Sequence, residues 1–104
     1  MIAGIDIGGT TSKIGLVHDG RVVAQTRIPT TGHADDHAFA DALAATLKEL
    51  TRESVHVLSA VGIGAPNANQ HTGIIEMAPN LPWKHDVPLA RMMSDRMDVP
   101  AVLG

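Results

Sequence analysis

The chain has 104 residues, a formal net charge of −3 and no cysteine. This length allows one domain with a modest core, and the acidic balance gives no electrostatic footprint for DNA, RNA or an anionic membrane. The absence of thiols excludes disulfides and thiolate metal sites from these residues, and no apolar run reaches the roughly 18 residues of a membrane span.

The N-terminal residues MIAGIDIGG lack the basic flank of a signal peptide and run directly into an apolar strand. We therefore expect a cytoplasmic protein. Phe39 and Trp83 are the only aromatic residues apart from histidine. Their scarcity predicts an aliphatic core, and it suggests that further surface is buried against something outside this chain.

The first third of the chain predicts three strands, over residues 2–7, 13–18 and 21–28. Gly8 and Gly9 end the first strand. Asp19-Gly20 is a two-residue hairpin signal between the second and third strands, because glycine accepts a positive φ. Pro29 ends the third strand, since it has no N–H to donate to a ladder.

Apolar residues then recur at helical spacing over residues 33–50, which predicts a first helix. Asp35 and Asp36 in its first turn and Lys48 in its last turn suit the helix dipole. Residues 55–64 predict a fourth strand. Its apolar end is typical of a central strand buried on both faces.

Residues 65–87 lack clear periodicity, and long irregular loops in compact domains are usually functional. A second helix is predicted to begin at Asp86 as N-cap, followed by Pro88 in the first turn. Its core-facing stripe comprises Leu89, Met92, Met93 and Met97. A last strand begins near residue 100, so the order of elements predicts an α/β fold with a mixed sheet.

The stretch D-I-G-G-T-T-S-K after the first strand combines groups that suit a phosphate ligand. Its glycines allow close backbone approach, and successive N–H groups can form an anion nest. Thr10, Thr11 and Ser12 add hydroxyls and Lys13 adds a charge. Asp6 suits Mg²⁺, directly or through water, since Mg²⁺ prefers carboxylates, waters and phosphate oxygens. The spacing matches neither the dinucleotide fingerprint nor the P-loop, so a plain glycine-rich hairpin explains this stretch equally well.

Two further stretches, G-I-G-A-P-N-A-N after the fourth strand and A-P-N-L-P-W-K before the second helix, are rich in asparagine and proline. Ligands of open α/β sheets collect beyond the carboxyl ends of strands. Asn67, Asn69 and Asn80 are uncharged donors and acceptors that suit sugar hydroxyls, and Trp83 offers a flat apolar face to a sugar ring. Simple turns and a core tryptophan are the alternatives.

Taken together and in this order, D-I-G-G-T, G-x-G-A-P and A-P-N-L-P-W resemble the ROK family of bacterial sugar kinases and sugar-responsive repressors. The resemblance covers essentially the whole chain, and P-N-A-N and N-L-P-W-K look most like glucokinase-type members. It implies the actin/hexokinase-like (ribonuclease H-like) ATPase fold, in which two α/β domains close over sugar and ATP. It also implies ATP- and Mg²⁺-dependent phosphorylation of a hexose, most similar to that of a glucokinase.

The resemblance also implies roles for individual residues. The motif that faces the ATP phosphates and Mg²⁺ comprises Asp6, Gly8, Gly9, Thr10 and Thr11, with Lys13 beside it. The turn at the sugar site comprises Ala65, Pro66 and Asn67, where Asn67 replaces the family's usual second glycine. Asn80 matches an asparagine that hydrogen-bonds the hexose, with Leu81 and Trp83 beside it.

In the family, the strand near Ala101 is followed by Asn-Asp, whose aspartate is the general base; here these residues would begin at the end of the chain, Gly104. The zinc motif and the adenosine-binding domain come later still. The resemblance therefore implies that residues 1–104 are the N-terminal sugar- and phosphate-binding domain of a longer, homodimeric kinase. These residues alone are expected to be inactive.

Other interpretations stay open. A non-catalytic sugar-binding regulator of the same family would carry a helix-turn-helix segment ahead of the first motif, and Met1 lies only five residues before Asp6. A kinase for fructose, mannose or an N-acetylhexosamine is a further alternative. His33 and His37, spaced i, i+4, could share a helix face, but they lack a third well-placed metal ligand and are interpreted as solvated surface.

Overall fold

The computed structural model describes residues 1–104, which form seven strands and two helices. In chain order these are β1 (Ile2–Ile7), β2 (Thr11–His18), β3 (Arg21–Pro29), α1 (Asp36–Thr51), β4 (Ala60–Gly64), β5 (Ala68–Asn69), β6 (Ile74–Ile75), α2 (Leu89–Met97) and β7 (Ala101–Leu103). Five strands form a mixed sheet in the order β3-β2-β1-β4-β7, and β5 and β6 form a separate hairpin. The predicted α/β architecture is confirmed.

The three N-terminal strands are antiparallel, whereas β4 runs parallel to β1 and β7 runs parallel to β4. The turn between β2 and β3 is the predicted hairpin: Asp19 and Gly20 have φ values of 51° and 74°, as a type I′ turn requires. Strand β2 begins at Thr11, earlier than predicted, because Ser12 already pairs with both Ile7 and Ile28.

Both helices pack on one face of the sheet. The inward side chains of β1, β2 and β4 alternate with outward ones, and they meet Phe39, Leu43 and Leu47 of α1. The stripe predicted on α2 is confirmed: Leu89, Met92 and Met93 are buried, and Met97 packs against the core from a half-buried position. Neither helix is long and apolar enough to cross a membrane.

Strand β4 differs from its prediction in two ways. It begins at Ala60 rather than at residue 55, because β1 offers its first partner where Ile2 pairs with Ala60. Val55 and Val57, predicted as strand, are 89% and 83% exposed. Moreover, only one face of β4 is buried within this chain. The buried residues Val61 and Ile63 alternate along the strand with half-exposed ones.

Both helices begin at other residues than the sequence predicts. Asp35 is the N-cap of α1, its Oδ1 accepting from the Ala38 N–H at 2.8 Å, so the helix begins at Asp36. Asp86 is not the N-cap of α2. Its carboxylate accepts from the Met77 N–H at 2.9 Å, and Pro88 takes the cap position without a side-chain hydrogen bond.

Asp36 joins the start of α1 to the loop that precedes α2. Its carboxylate is nearly buried, and Oδ2 lies 3.3 Å from His85 Nε2. Burial acts to raise the pKa of Asp36, but the hydrogen bond with His85 and the charges of His37 and His85 outweigh it, so the pKa lies below its ordinary value. The folded state therefore favours the ionised carboxylate.

We expect Asp36→Asn to lower the free energy of unfolding by about 1 kcal/mol near neutral pH, because the charge-assisted contact to His85 is weakened. Since the pKa of Asp36 is lower in the folded state, its contribution is complete above the unfolded-state pKa and is lost as the pH falls below about 4. Urea unfolding at a series of pH values measures this effect.

The exposed Asp95, on α2, provides the matched control variant Asp95→Asn. The stability difference between wild type and Asp36→Asn should shrink on acidification. A difference that stays constant from pH 7 to pH 3 would contradict the assigned role.

Candidate functional site

The connection between β1 and β2 is a tight turn, Gly8–Thr11, in which the Gly8 N–H donates to the Thr11 carbonyl at 3.1 Å. A Cβ at Gly8 would lie 2.8 Å from the Thr11 carbonyl oxygen. A Cβ at Gly9 would lie 2.9 Å from the carbonyl oxygen of Asn80. Both obstacles are backbone atoms, so these two positions require glycine because of close approach and not because of a positive φ.

Thr30, which the sequence analysis did not single out, holds this turn from beneath. It is fully buried, and its hydroxyl donates to the Gly8 carbonyl at 2.8 Å while accepting from the Ser12 hydroxyl at 2.7 Å. Its backbone N–H donates to the Thr10 carbonyl at 2.9 Å. Every buried polar side-chain atom has a partner, so Thr30 fixes the turn without leaving an unsatisfied group.

Asp6 lies at the end of β1, where the parallel strands β1, β4 and β7 present their carboxyl ends at one edge of the sheet. Asp6 pairs with Gly64, and a Cβ on Gly64 would lie 4.0 Å from Asp6 Oδ1. The Gly104 N–H donates to the Ile63 carbonyl at 2.8 Å, which brings the end of β7 to the same edge. This edge is where open α/β sheets bind ligands.

The Asp6 carboxylate is exposed, belongs to none of the chain's ion pairs, and faces Lys13 across the β1–β2 pair. No group of three or more histidine or acidic side chains forms a closed metal site. A single free carboxylate beside a glycine turn nevertheless suits Mg²⁺, which takes one or two carboxylates together with phosphate oxygens and waters.

The predicted sugar-site turn follows β4 directly. Ala65 and Pro66 are half-buried. Asn67 has a φ of 54°, a left-handed conformation that asparagine tolerates better than most residues. Its Nδ2 donates to the Met77 carbonyl at 3.0 Å, and its own carbonyl accepts from the Glu76 N–H at 3.0 Å. Asn67 therefore preserves a glycine-type turn and closes the base of the β5–β6 hairpin.

The segment that carries Asn80 is anchored by its neighbours. Leu81 and Trp83 are 2% and 7% exposed, and the Trp83 ring lies 4.9 Å from the Phe39 ring, centroid to centroid. Trp83 is therefore a core residue and offers no free face to a sugar ring, and Leu81 contributes to the core as well. Asn80, immediately before these anchors, is exposed, and its side chain makes no hydrogen bond within the chain.

The structure thus brings two of the predicted groups so close that no side chain fits at Gly9, the Gly8–Thr11 turn and the Asn80 segment. It places Asp6 beside the first and at the sheet edge from which Ala65 continues. The histidine pair considered as metal ligands, His33 and His37, lies near the start of α1. His33 Nε2 is 2.8 Å from the Pro29 carbonyl oxygen, and the pair belongs to no group of three potential metal ligands.

Comparisons with protein families and with individual proteins indicate the same family. The model of the ROK family matches residues 2–104. The glucokinase of Thermotoga maritima is 31% identical over 99 residues, which are 91% of this chain and 30% of that protein.

Two solved structures extend this likeness to the fold. The ROK hexokinase of Thermus thermophilus superposes with a TM-score of 0.84 at 28% identity, over 99% of this chain and 34% of its own. A ROK-family glucokinase from Streptomyces griseus, solved in complex with glucose and AMPPNP, gives 0.82 at 31% identity, over 98% of this chain and 32% of its own. The chain therefore has the actin-like fold of these hexokinases, and it spans about a third of the length of the relatives that it matches.

We expect Thr30→Val to destabilise the chain by about 1–3 kcal/mol, because the Gly8 carbonyl and the Ser12 hydroxyl lose a buried partner. Thr30→Ser, which keeps the hydroxyl, is the matched control. Denaturant unfolding measures the stability of both variants. If Thr30→Val proves as stable as Thr30→Ser, the hydroxyl does not hold the turn.

Proposed function

Because this chain belongs to the ROK family, we propose that the protein containing it is an ATP- and Mg²⁺-dependent hexose kinase whose acceptor is glucose. The observation that carries the proposal is the close approach of the Asn80 carbonyl to Gly9, where an added Cβ would lie 2.9 Å from its oxygen. It sets a turn suited to phosphate directly against a segment suited to a sugar. The complete enzyme would transfer the γ-phosphoryl group of ATP to a sugar hydroxyl.

In this proposal the Gly8–Thr11 turn holds the phosphates of the donor. The N–H groups of Gly9 and Thr10, which donate to no backbone carbonyl of the chain, and the Thr10 and Thr11 hydroxyls donate to phosphate oxygens, and Lys13 adds a positive charge. Asp6 would hold Mg²⁺, which would supply positive charge against the phosphates. Because Thr30 fixes the turn in advance, these donors need little reorganisation when the donor binds.

The acceptor lies on the other side of the Gly9–Asn80 contact. The exposed Asn80 amide can donate and accept at once, which suits vicinal sugar hydroxyls. The Ala65–Asn67 turn supplies further backbone groups at the sheet edge. Leu81 and Trp83 act through packing, since they hold the Asn80 segment in place against the core. Catalysis then rests mainly on the positioning of donor and acceptor.

We further propose that residues 1–104 are the N-terminal domain of a two-domain, homodimeric cytoplasmic kinase. The general base would follow Gly104, and the hydrogen bond from Gly104 to Ile63 directs that position to the edge where Asp6 lies. The adenosine site, and any zinc, would belong to the second domain.

An ATP-coupled assay of the full-length protein with glucose, fructose, mannose and N-acetylhexosamines tests the proposal. Glucose should give the highest kcat/KM. Asn80→Ala should raise the KM for glucose by about tenfold, the effect of one hydrogen bond to a polar ligand, and leave the KM for ATP nearly unchanged. Gln70→Ala, which removes an exposed amide from the β5–β6 hairpin, is the control.

The 104-residue chain alone should show no turnover with ATP and glucose. Turnover by this chain would contradict the placement of the base beyond Gly104. A full-length protein that binds glucose but phosphorylates no hexose would support a sugar-sensing regulator instead.

A further inference from the structure

Residues 76–86, the Asn80 loop, form a closed loop between β6 and α2. The Ile75 N–H donates to the Val87 carbonyl and the Val87 N–H donates to the Ile75 carbonyl, both at 2.8 Å. This backbone pairing joins the two ends of the loop. The place of Asn80 is therefore decided within the loop, between two ends that are already held together.

Inside the loop, Asn80 is carried by a tight turn. The Leu81 N–H donates to the Ala78 carbonyl at 3.1 Å, and Pro79 occupies the second position of the turn, where its fixed φ is favourable. Ala78 and Leu81 are buried, whereas Asn80 is exposed. Because the turn is stiff, the direction from which the chain enters it helps to determine where the Asn80 amide lies.

Met77, the residue that enters this turn, has both of its backbone groups bound by side chains. Its N–H donates to Asp86 Oδ1 at 2.9 Å, and its carbonyl accepts from Asn67 Nδ2 at 3.0 Å. The Met77 side chain is exposed. These two hydrogen bonds, rather than burial of the side chain, therefore hold the backbone at this point.

The backbone of Asn67 is held by contacts that do not involve its side chain. Its φ of 54° lies in the left-handed region, and its carbonyl accepts from the Glu76 N–H at 3.0 Å. The one side-chain hydrogen bond of Asn67 goes to Met77, ten positions further along the chain. The amide of Asn67 thus joins the turn after β4 to the Asn80 loop.

We propose that Asn67 and Asp86 are positioning residues for the sugar. Together they hold the backbone of Met77, and through it they set the place of the Asn80 amide. The inference rests on the proposed function, in which Asn80 contacts the sugar. It adds Asp86 to the site and assigns the Asn67 side chain to Met77 instead of to a sugar hydroxyl. Since both hydrogen bonds lie within residues 67–86, this role requires no uncovered surface in a longer protein.

Glucose binding to the full-length protein, measured by calorimetry without nucleotide, tests the role of Asn67. Asn67→Gly keeps the left-handed backbone, which glycine adopts freely, and removes the hydrogen bond to Met77. The dissociation constant for glucose should rise by about fivefold, the effect of one neutral hydrogen bond. Asn67→Asp should lose more, because a carboxylate oxygen would then face the Met77 carbonyl. A direct sugar ligand predicts the opposite order, since a carboxylate accepts from sugar hydroxyls and glycine has no side chain to do so.

Two variants of Asp86 test the other half of the arrangement. Asp86→Ala leaves the Met77 N–H without its acceptor and should also weaken glucose binding by about fivefold. Asp86→Asn keeps an acceptor oxygen and should stay within about twofold of wild type. In the coupled assay, Asp86→Ala should raise the KM for glucose and leave kcat and the KM for ATP nearly unchanged, a split that general loss of stability would not produce.

Thr72→Val is the matched control for these variants. Thr72 Oγ1 accepts from the Ile74 N–H at 3.3 Å in the turn of the β5–β6 hairpin, so the substitution removes a hydrogen bond of the same kind that does not reach Met77. Its glucose affinity should equal that of wild type.

Hydrogen exchange of the free full-length protein, followed by mass spectrometry, reports on the Asn80 loop without any ligand. The amides of Met77 and Leu81 should exchange faster in Asn67→Gly than in Thr72→Val. Equal exchange in these two variants would overturn the proposal.

A wild-type glucose affinity in Asn67→Gly or in Asp86→Ala would likewise overturn it, as would a greater loss in Asn67→Gly than in Asn67→Asp. Because the affinities are measured without nucleotide, failure of the proposed function can be recognised separately. A protein that shows these effects on glucose binding but phosphorylates no hexose would refute the proposed function and leave the positioning role of Asn67 and Asp86 standing.

Discussion

Two backbone contacts that leave no room for a side chain determine the candidate site. The Thr11 carbonyl lies against Gly8, and the Asn80 carbonyl lies against Gly9. The first contact belongs to the tight turn between β1 and β2, which the hydrogen bond from the Gly8 N–H to the Thr11 carbonyl closes. The second fixes where the segment before α2 must lie. Both depend on the packing beneath them, since Thr30 holds the turn and Trp83 anchors the segment on α1.

Much of this arrangement could be predicted from the sequence, because it depends on local chemistry. The bounds of β1, the Asp19-Gly20 hairpin and the stripe of α2 each follow from residue type and spacing. The left-handed conformation of Asn67 is also explained locally, since asparagine tolerates a positive φ better than most residues. These features needed no knowledge of distant residues.

What the sequence did not reveal depends on partners that are far apart in the chain. Thr30 follows a strand-ending proline in a polar stretch, so nothing local distinguishes it from a loop residue, yet its hydroxyl reaches Gly8 across 22 positions. Val55 and Val57 have strong strand propensity but pair with no strand, because β1 begins opposite Ala60. Asp86 has the sequence context of an N-cap and is instead recruited by the Met77 N–H.

The proposed donor and acceptor sites meet at Gly9, and the glucose affinity of the full-length Gly9→Ala variant without nucleotide tests this coupling most directly. The added Cβ must displace the Asn80 carbonyl, so the dissociation constant for glucose should rise by about tenfold, as for a lost hydrogen bond. Gly8→Ala, which meets only the Thr11 carbonyl of the turn itself, should weaken nucleotide binding and leave glucose binding almost unchanged. Glucose binding by Gly9→Ala that equals wild type would contradict the account.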